Sequence, residues 1–146
     1  MGDDLGGPGF EPEIVVLYCQ HCVGEDADVV AEATRVSGFS VQPVLMPCSS
    51  KVEIPHVLRI LERGVDGVEV VACPESACRF LVGSARTERR VEYVRRLLDE
   101  AGIGAQRVGI SRGSRLSATE LMGLAAGRAE AVRALGCNSM KTGGVQ

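Results

Sequence analysis

"VEVVACPESACRF", residues 68–80, decides how the chain is read. Val68 to Ala72 is a short apolar run rich in β-branched residues, the pattern of a strand buried on both faces. It stops at Cys73, and Cys78 follows five positions later. The same ending occurs twice upstream: "IVVLYCQHC", residues 14–22, closes on Cys19 and Cys22, and "VQPVLMPC", residues 41–48, closes on Cys48. Strands that repeatedly end in cysteine predict one site on one edge of one sheet.

The segments between these strands read as helices. Asp26–Ser37 carries Val29, Val30, Ala33 and Val36 at helical spacing, with Gly38 placed to stop it. Ile54–Arg63 has Pro55 near its start, Val57, Leu58 and Leu61 on one face, and Gly64 beyond its end. The longest helix is expected from about Ser84 to Ala101, burying Val91, Val94, Leu97 and Leu98, and stopped by Gly102. Arg107–Ser111 reads as a short fourth strand. "SATE", Ser117 to Glu120, has the spacing of a capping box. It opens a last helix carrying Leu121, Leu124, Ala125, Ala129, Val132 and Leu135 and closed by Gly136. Strands alternating with helices, without hairpin turns, predict parallel strands joined by right-handed crossovers. The expected fold is α/β: an open, mainly parallel four-stranded sheet flanked by helices, flavodoxin-like or Rossmann-like. With strand order 2-1-3-4, neighbouring strands about 4.8 Å apart would bring Cys19, Cys22, Cys48, Cys73 and Cys78 into one crevice at the carboxyl edge, where open α/β sheets bind ligands.

At 146 residues the chain fits one domain, large enough to bury about 68–70% of its unfolded surface without disulfides. The expected organisation is a flexible tail over 1–12, a single domain over 13–136 and a second tail over 137–146. There is no Trp, so the core falls to Val, Leu, Ile and Ala. A formal charge of −3 argues against general nucleic-acid binding. No apolar run approaches the roughly 20 residues that cross a membrane. The acidic, Gly/Pro-rich start "MGDDLGGPGFEPE" is unlike a secretory signal, and cytoplasmic location is the expectation. In that compartment clustered cysteines more often bind metal or react than form disulfides.

Three chemistries fit the cysteines. A dithiol oxidoreductase would use Cys19 and Cys22 near a helix start, leaving Cys48, Cys73 and Cys78 without a purpose. A structural zinc site would take four thiolates, or three with His21. An iron–sulfur cluster would take four thiolates in a partly dry site, and the spacings modestly favour it. Cys137, alone after Gly136, is not expected to be a ligand.

These residues also carry a resemblance. "IVVLYCQHC", "MPCSSKVEIPHVLRILERGVDGVEVVAC" and "CPESACRFLVGSARTERRVEYVRRLLDEAGI" resemble blocks of the small iron–sulfur (delta) subunit of methyl-viologen-reducing hydrogenase, the family that links hydrogenase to heterodisulfide reductase. The likeness covers roughly residues 13–135, and the last block is its most specific part. It implies one 2Fe–2S cluster and a non-catalytic relay between larger redox subunits, from a hydrogenase or another donor to a heterodisulfide-reductase-like flavin/iron–sulfur partner. It points to Cys19, Cys22, Cys48, Cys73 and Cys78, five sulfurs for four places, with Cys48 the lone one by spacing. The chain departs from the family pattern at Tyr18, where a cysteine is usual, at His21, where an aromatic is favoured, and at Pro74 and Arg79, where histidines are common.

Arg79, Arg86, Arg89 and Arg90 lie at or after the last cysteine and are expected to face an anionic cluster or a partner. Arg95 and Arg96 read as a solvated helix face, His21 as an outer-shell or partner-facing group, and His56 as surface. Gly64 and Gly67 read as loop and turn glycines. No Gly-x-Gly-x-x-Gly or phosphate loop is present.

Overall fold

From Ile14 to Cys19 every residue is buried, so this segment must be covered on both faces and paired on both edges. A computed structural model shows how. It describes residues 10–46, 52–73 and 83–138, for 83 and 84 the backbone alone. Strands β1 (Glu13–Cys19), β2 (Ser40–Met46), β3 (Gly67–Ala72) and β4 (Val108–Arg112) form one sheet in the order β2-β1-β3-β4. Every pairing is parallel. Between and after the strands lie helices α1 (Val29–Ala33), α2 (Ile54–Glu62), α3 (Gly83–Glu100) and α4 (Ala118–Arg133).

The strand pleat divides the core in two. Ile14, Val16, Tyr18 and Val71 pack with Leu121, Ala125, Ala129 and Val132 of α4 and with Val29 of α1. Val15, Leu17, Val68 and Val70 pack on the opposite face with Val57 and Leu61 of α2 and with Val91, Val94 and Leu98 of α3. Each fully buried Val, Leu or Ile contributes about 1.5–3 kcal/mol relative to exposure. The central strands β1 and β3 therefore read as nearly continuous apolar runs, whereas β2, at the edge, alternates. Pro43, which has no N–H for a ladder, sits in that edge strand.

Three of the expected helix stops hold, and Gly38 does not serve as one: Gly64, Gly102 and Gly136 have φ of 101°, 78° and 81°, values that favour a residue without a Cβ. Ser117 and Glu120 form the expected capping box. Two expectations are corrected. The first helix is five residues long, because a backbone bond from Gly24 to Leu116 holds the preceding chain in a turn. Asp28 then caps it through Ala31 N, and Thr34 ends it by bonding Ala31 O. Val30 is consequently 70% exposed rather than buried. Gly67 is no turn residue. It opens β3 where α4 packs closely, and a Cβ there would lie 2.8 Å from Val132 Cγ2.

Contacts extend past 13–136 at both ends. Phe10 packs on the core, and Asn138 is buried, with its side chain donating to Leu61 O and Val65 O at 2.9 and 2.8 Å. Among the described residues no helix is long and apolar enough to cross a membrane.

Candidate metal centre

The chain reverses direction across the sheet between β1 and β3: the connection from β1 leads to β2 on one side, and β3 leads on to β4 on the other. Loops leave a reversal point in opposite directions and open a crevice at the carboxyl edge. Cys19 is the last residue of β1, and Cys73 directly follows β3. A tight turn, Cys22 N to Cys19 O at 2.9 Å, folds Cys22 back over the same edge.

The three sulfurs converge. Cys19 Sγ lies 3.5 Å from Cys22 Sγ and 3.4 Å from Cys73 Sγ, and Cys22 and Cys73 are 3.8 Å apart. All are free thiols and buried. These separations exclude a disulfide, whose sulfurs are about 2.0 Å apart. They match the edge of a tetrahedron of thiolates at about 2.3 Å from a metal, roughly 3.8 Å. The donor set therefore fits a thiolate-ligated metal or iron–sulfur group, with soft sulfur ligands in an apolar, nearly dry setting. Among the described residues this is where His, Cys, Asp or Glu side chains gather closely enough to hold a metal ion.

Electrostatics point the same way. The hydrogen bond from Cys22 pushes the Cys19 thiol down to about 5, helped by Cys73 and by the backbone N–H groups of His21 and Cys22, and opposed by burial. Cys22 is pushed up by donating to Cys19 and by burial.

The surroundings fix the sulfurs from a fourth direction. Leu116 N donates to Cys22 O at 2.8 Å, and Val23 forms a parallel bridge with Leu116. Gly113 N donates to Ala72 O at 3.0 Å, and Arg112 Nη1 to Cys73 O at 3.1 Å. The β4–α4 connection thus holds both ends of the site. On the β1–β2 side an open cleft of about 940 Å³ is lined by Tyr18, His21, Val30, Leu45, Asp26 and Arg115, among others. His21 is exposed there.

Cys48, Cys78 and Arg79 lie outside the described residues. Met46, two positions before Cys48, pairs with Cys19. Cys137 sits at the opposite, amino-terminal edge, its carbonyl bonded by Arg107. Of the arginines after the last cysteine, Arg86 and Arg89 are exposed. Arg90 turns inward, its Nη1 donating to Val52 O at 2.8 Å, so it supports the segment that follows Cys48. Arg95 likewise bonds Val108 O at 2.6 Å rather than standing free in solvent.

Two polar groups were not anticipated from sequence. Glu69, in the middle of β3, is buried and paired with Arg128 Nε at 2.7 Å, with Ser111 Oγ on its other oxygen. Its charge within an apolar run was the signal. Arg107, whose side chain burial pushes down, bonds Ile103 O, Asp66 O, Gly136 O and Cys137 O.

Residues 14–136 match the sequence profile of the family described as methyl-viologen-reducing hydrogenase, delta subunit. The chain belongs to that family. It is 30% identical over 129 residues to the iron-sulfur subunit of the F420-non-reducing hydrogenase vhu from Methanocaldococcus jannaschii, covering 88% of this chain and 96% of that one. The corresponding protein of Methanopyrus kandleri is 35% identical over 101 residues, 68% of this chain and 76% of that one. A more distant likeness, 26% over 97 residues, is to a subunit of the ferredoxin/F(420)H(2)-dependent CoB-CoM heterodisulfide reductase of Methanosarcina acetivorans. It covers 66% of this chain and 12% of that protein.

Proposed function

We propose that this delta-subunit family member is an electron-transfer protein carrying one 2Fe–2S cluster. Cys19, Cys22 and Cys73 supply thiolates, and Cys78 and Cys48 are the candidates for the remaining place. The observation that carries this reading is the convergence of three buried thiols at the reversal point of the sheet. A 2Fe–2S cluster takes four thiolates and supplies one-electron transfer. The chain's own contribution is to hold the sulfurs, keep water from them and fix their backbone by hydrogen bonds from Leu116 and Arg112. Its electrons would pass between a hydrogenase or other donor and a heterodisulfide-reductase-like flavin/iron–sulfur partner. The likeness to a segment of a heterodisulfide reductase supports that partner. Exposed Val30 and Leu45, both lining the cleft beside the cysteines, give such a partner apolar surface to cover.

A second reading has its own observation. All three sulfurs lie within 3.8 Å of one another, as on three corners of one tetrahedral ion, whereas a two-iron cluster divides four thiolates between its metals. A zinc site would make the chain an interaction module without redox function. Metal and acid-labile sulfide analysis of anaerobically purified protein separates the two. Iron with sulfide in equal amounts, and a reduced-state 2Fe–2S paramagnetic signal, is the expected result. Zinc without sulfide, persisting after reconstitution with iron and sulfide, would overturn the electron-transfer reading.

A further inference from the structure

We propose that Arg112 is a positioning residue for the metal centre and, with Glu88, a charge pair that sets its reduction potential. The second half rests on the electron-transfer reading; the first half requires only that Cys73 binds metal. Arg112 closes β4, and its register partner is Ala72, the residue before Cys73. From there its planar guanidinium reaches two partners among the described residues. Nη1 donates to the Cys73 carbonyl at 3.1 Å, and Nη2 meets Glu88 Oε1 at 2.6 Å. Glu88 lies in the early part of α3, the helix that follows Cys78 in the chain. Arg112 thus ties the backbone of one cysteine to the helix leading away from another.

The pair is partly open to solvent, with side chains 28% and 45% exposed. A pair so placed adds little to folding stability. Its contact with the carbonyl of a sulfur-bearing residue is what a stability role leaves unexplained. Groups that hydrogen-bond to a ligand residue orient the ligand and tune the metal. Arginine suits both tasks, because its fork reaches two acceptors at once and stays charged at any working pH. A fixed positive charge favours the more negative, reduced state of a nearby centre, and a fixed carboxylate opposes it.

The two charges therefore predict opposite shifts. In the reconstituted protein, Arg112→Gln should move the midpoint potential negative, and Glu88→Gln should move it positive. Arg112→Lys keeps the charge but not the fork, so it should restore most of the potential while leaving the cluster more easily lost. A merely structural pair would loosen the site in the same way whichever partner is removed. Shifts of the same sign, or none in either variant, would overturn the tuning role. Cobalt(II) titration of the metal-free protein reads positioning separately, whatever group the native site holds. Arg112→Gln should bind cobalt(II) about 10–100-fold more weakly than wild type, the range for lost outer partners of metal ligands. Unchanged affinity would overturn the positioning role. Wild-type protein that takes up no iron and sulfide but binds cobalt(II) would overturn the electron-transfer reading and the tuning role while leaving positioning to be decided by the affinities.

Discussion

Replacing Gly109 with alanine should unfold the protein more easily although nothing in the backbone forbids it. Gly109 lies within β4, and glycine inside a strand usually costs about 0.5–1 kcal/mol relative to alanine. Here the space is taken. A Cβ at Gly109 would come 1.8 Å from Arg128 Nη2 and 2.3 Å from Cζ. The guanidinium must leave, and with it the 2.7 Å contact to Glu69, a carboxylate whose side chain is only 2% exposed. Removing one partner of a buried pair costs about 3–5 kcal/mol, because the other charge stays desolvated. Less the usual gain from alanine, Gly109→Ala should lose about 2–4 kcal/mol. At about 2–4 °C per kcal/mol for a chain of this size, the melting temperature should fall by about 4–16 °C. The assay is urea unfolding of the metal-free, reduced protein, so that ligand binding adds nothing. The decisive comparison is the background Arg128→Met. That substitution alone should cost about 3–5 kcal/mol, and adding Gly109→Ala to it should then be neutral or mildly stabilising. A cost for Gly109→Ala that is the same in both backgrounds would refute the account, since it would place the clash elsewhere.

Serine substitutions rank the sulfurs: Cys19→Ser, Cys22→Ser, Cys73→Ser and Cys78→Ser should each lose or destabilise the cluster, read as iron and sulfide per chain. Cys137→Ser should leave it unchanged, and full cluster retention in all of the first four would show that the ligand assignment is wrong. For the partner, reversing exposed Arg86 and Arg89 to Glu should weaken docking to a heterodisulfide-reductase-like flavoprotein, more at low salt than at high, with the cluster retained. Salt-independent binding equal to wild type would remove those arginines from the interface. Arg90→Glu should behave differently, lowering cluster content by releasing Val52 beside the Cys48 segment; cluster content equal to wild type would show that this contact does not support the site.

The sheet and the place of Cys19, Cys22 and Cys73 at its edge were legible in the sequence because they depend on local patterns. A continuous apolar run of strand length, as at Ile14–Tyr18 and Val68–Ala72, signals a strand covered on both faces, and alternation of strands with helices implies parallel crossovers. The order 2-1-3-4, a condition of the sequence reading that the structure meets, makes the ends of β1 and β3 neighbours. Ser117 and Glu120 announced their helix start for the same reason: a cap is satisfied within four residues. Contacts between residues far apart in the chain were not legible. The spacing of valines over 26–37 suggested a long helix, but Leu116, some ninety positions away, held residue 24 in a turn. The arginines after Cys78 looked alike along the chain, yet Arg90 found a backbone carbonyl of Val52 while Arg86 and Arg89 stayed in solvent. Glu69 passed unnoticed within an apolar strand, and its partner Arg128 comes from α4, which packs on that face of the sheet. Sequence alone could say that sulfur gathers at one edge. Only the packed chain shows that the end of β4 holds it there, because Arg112 meets Cys73 through a strand register that a separation of 39 positions along the chain does not reveal.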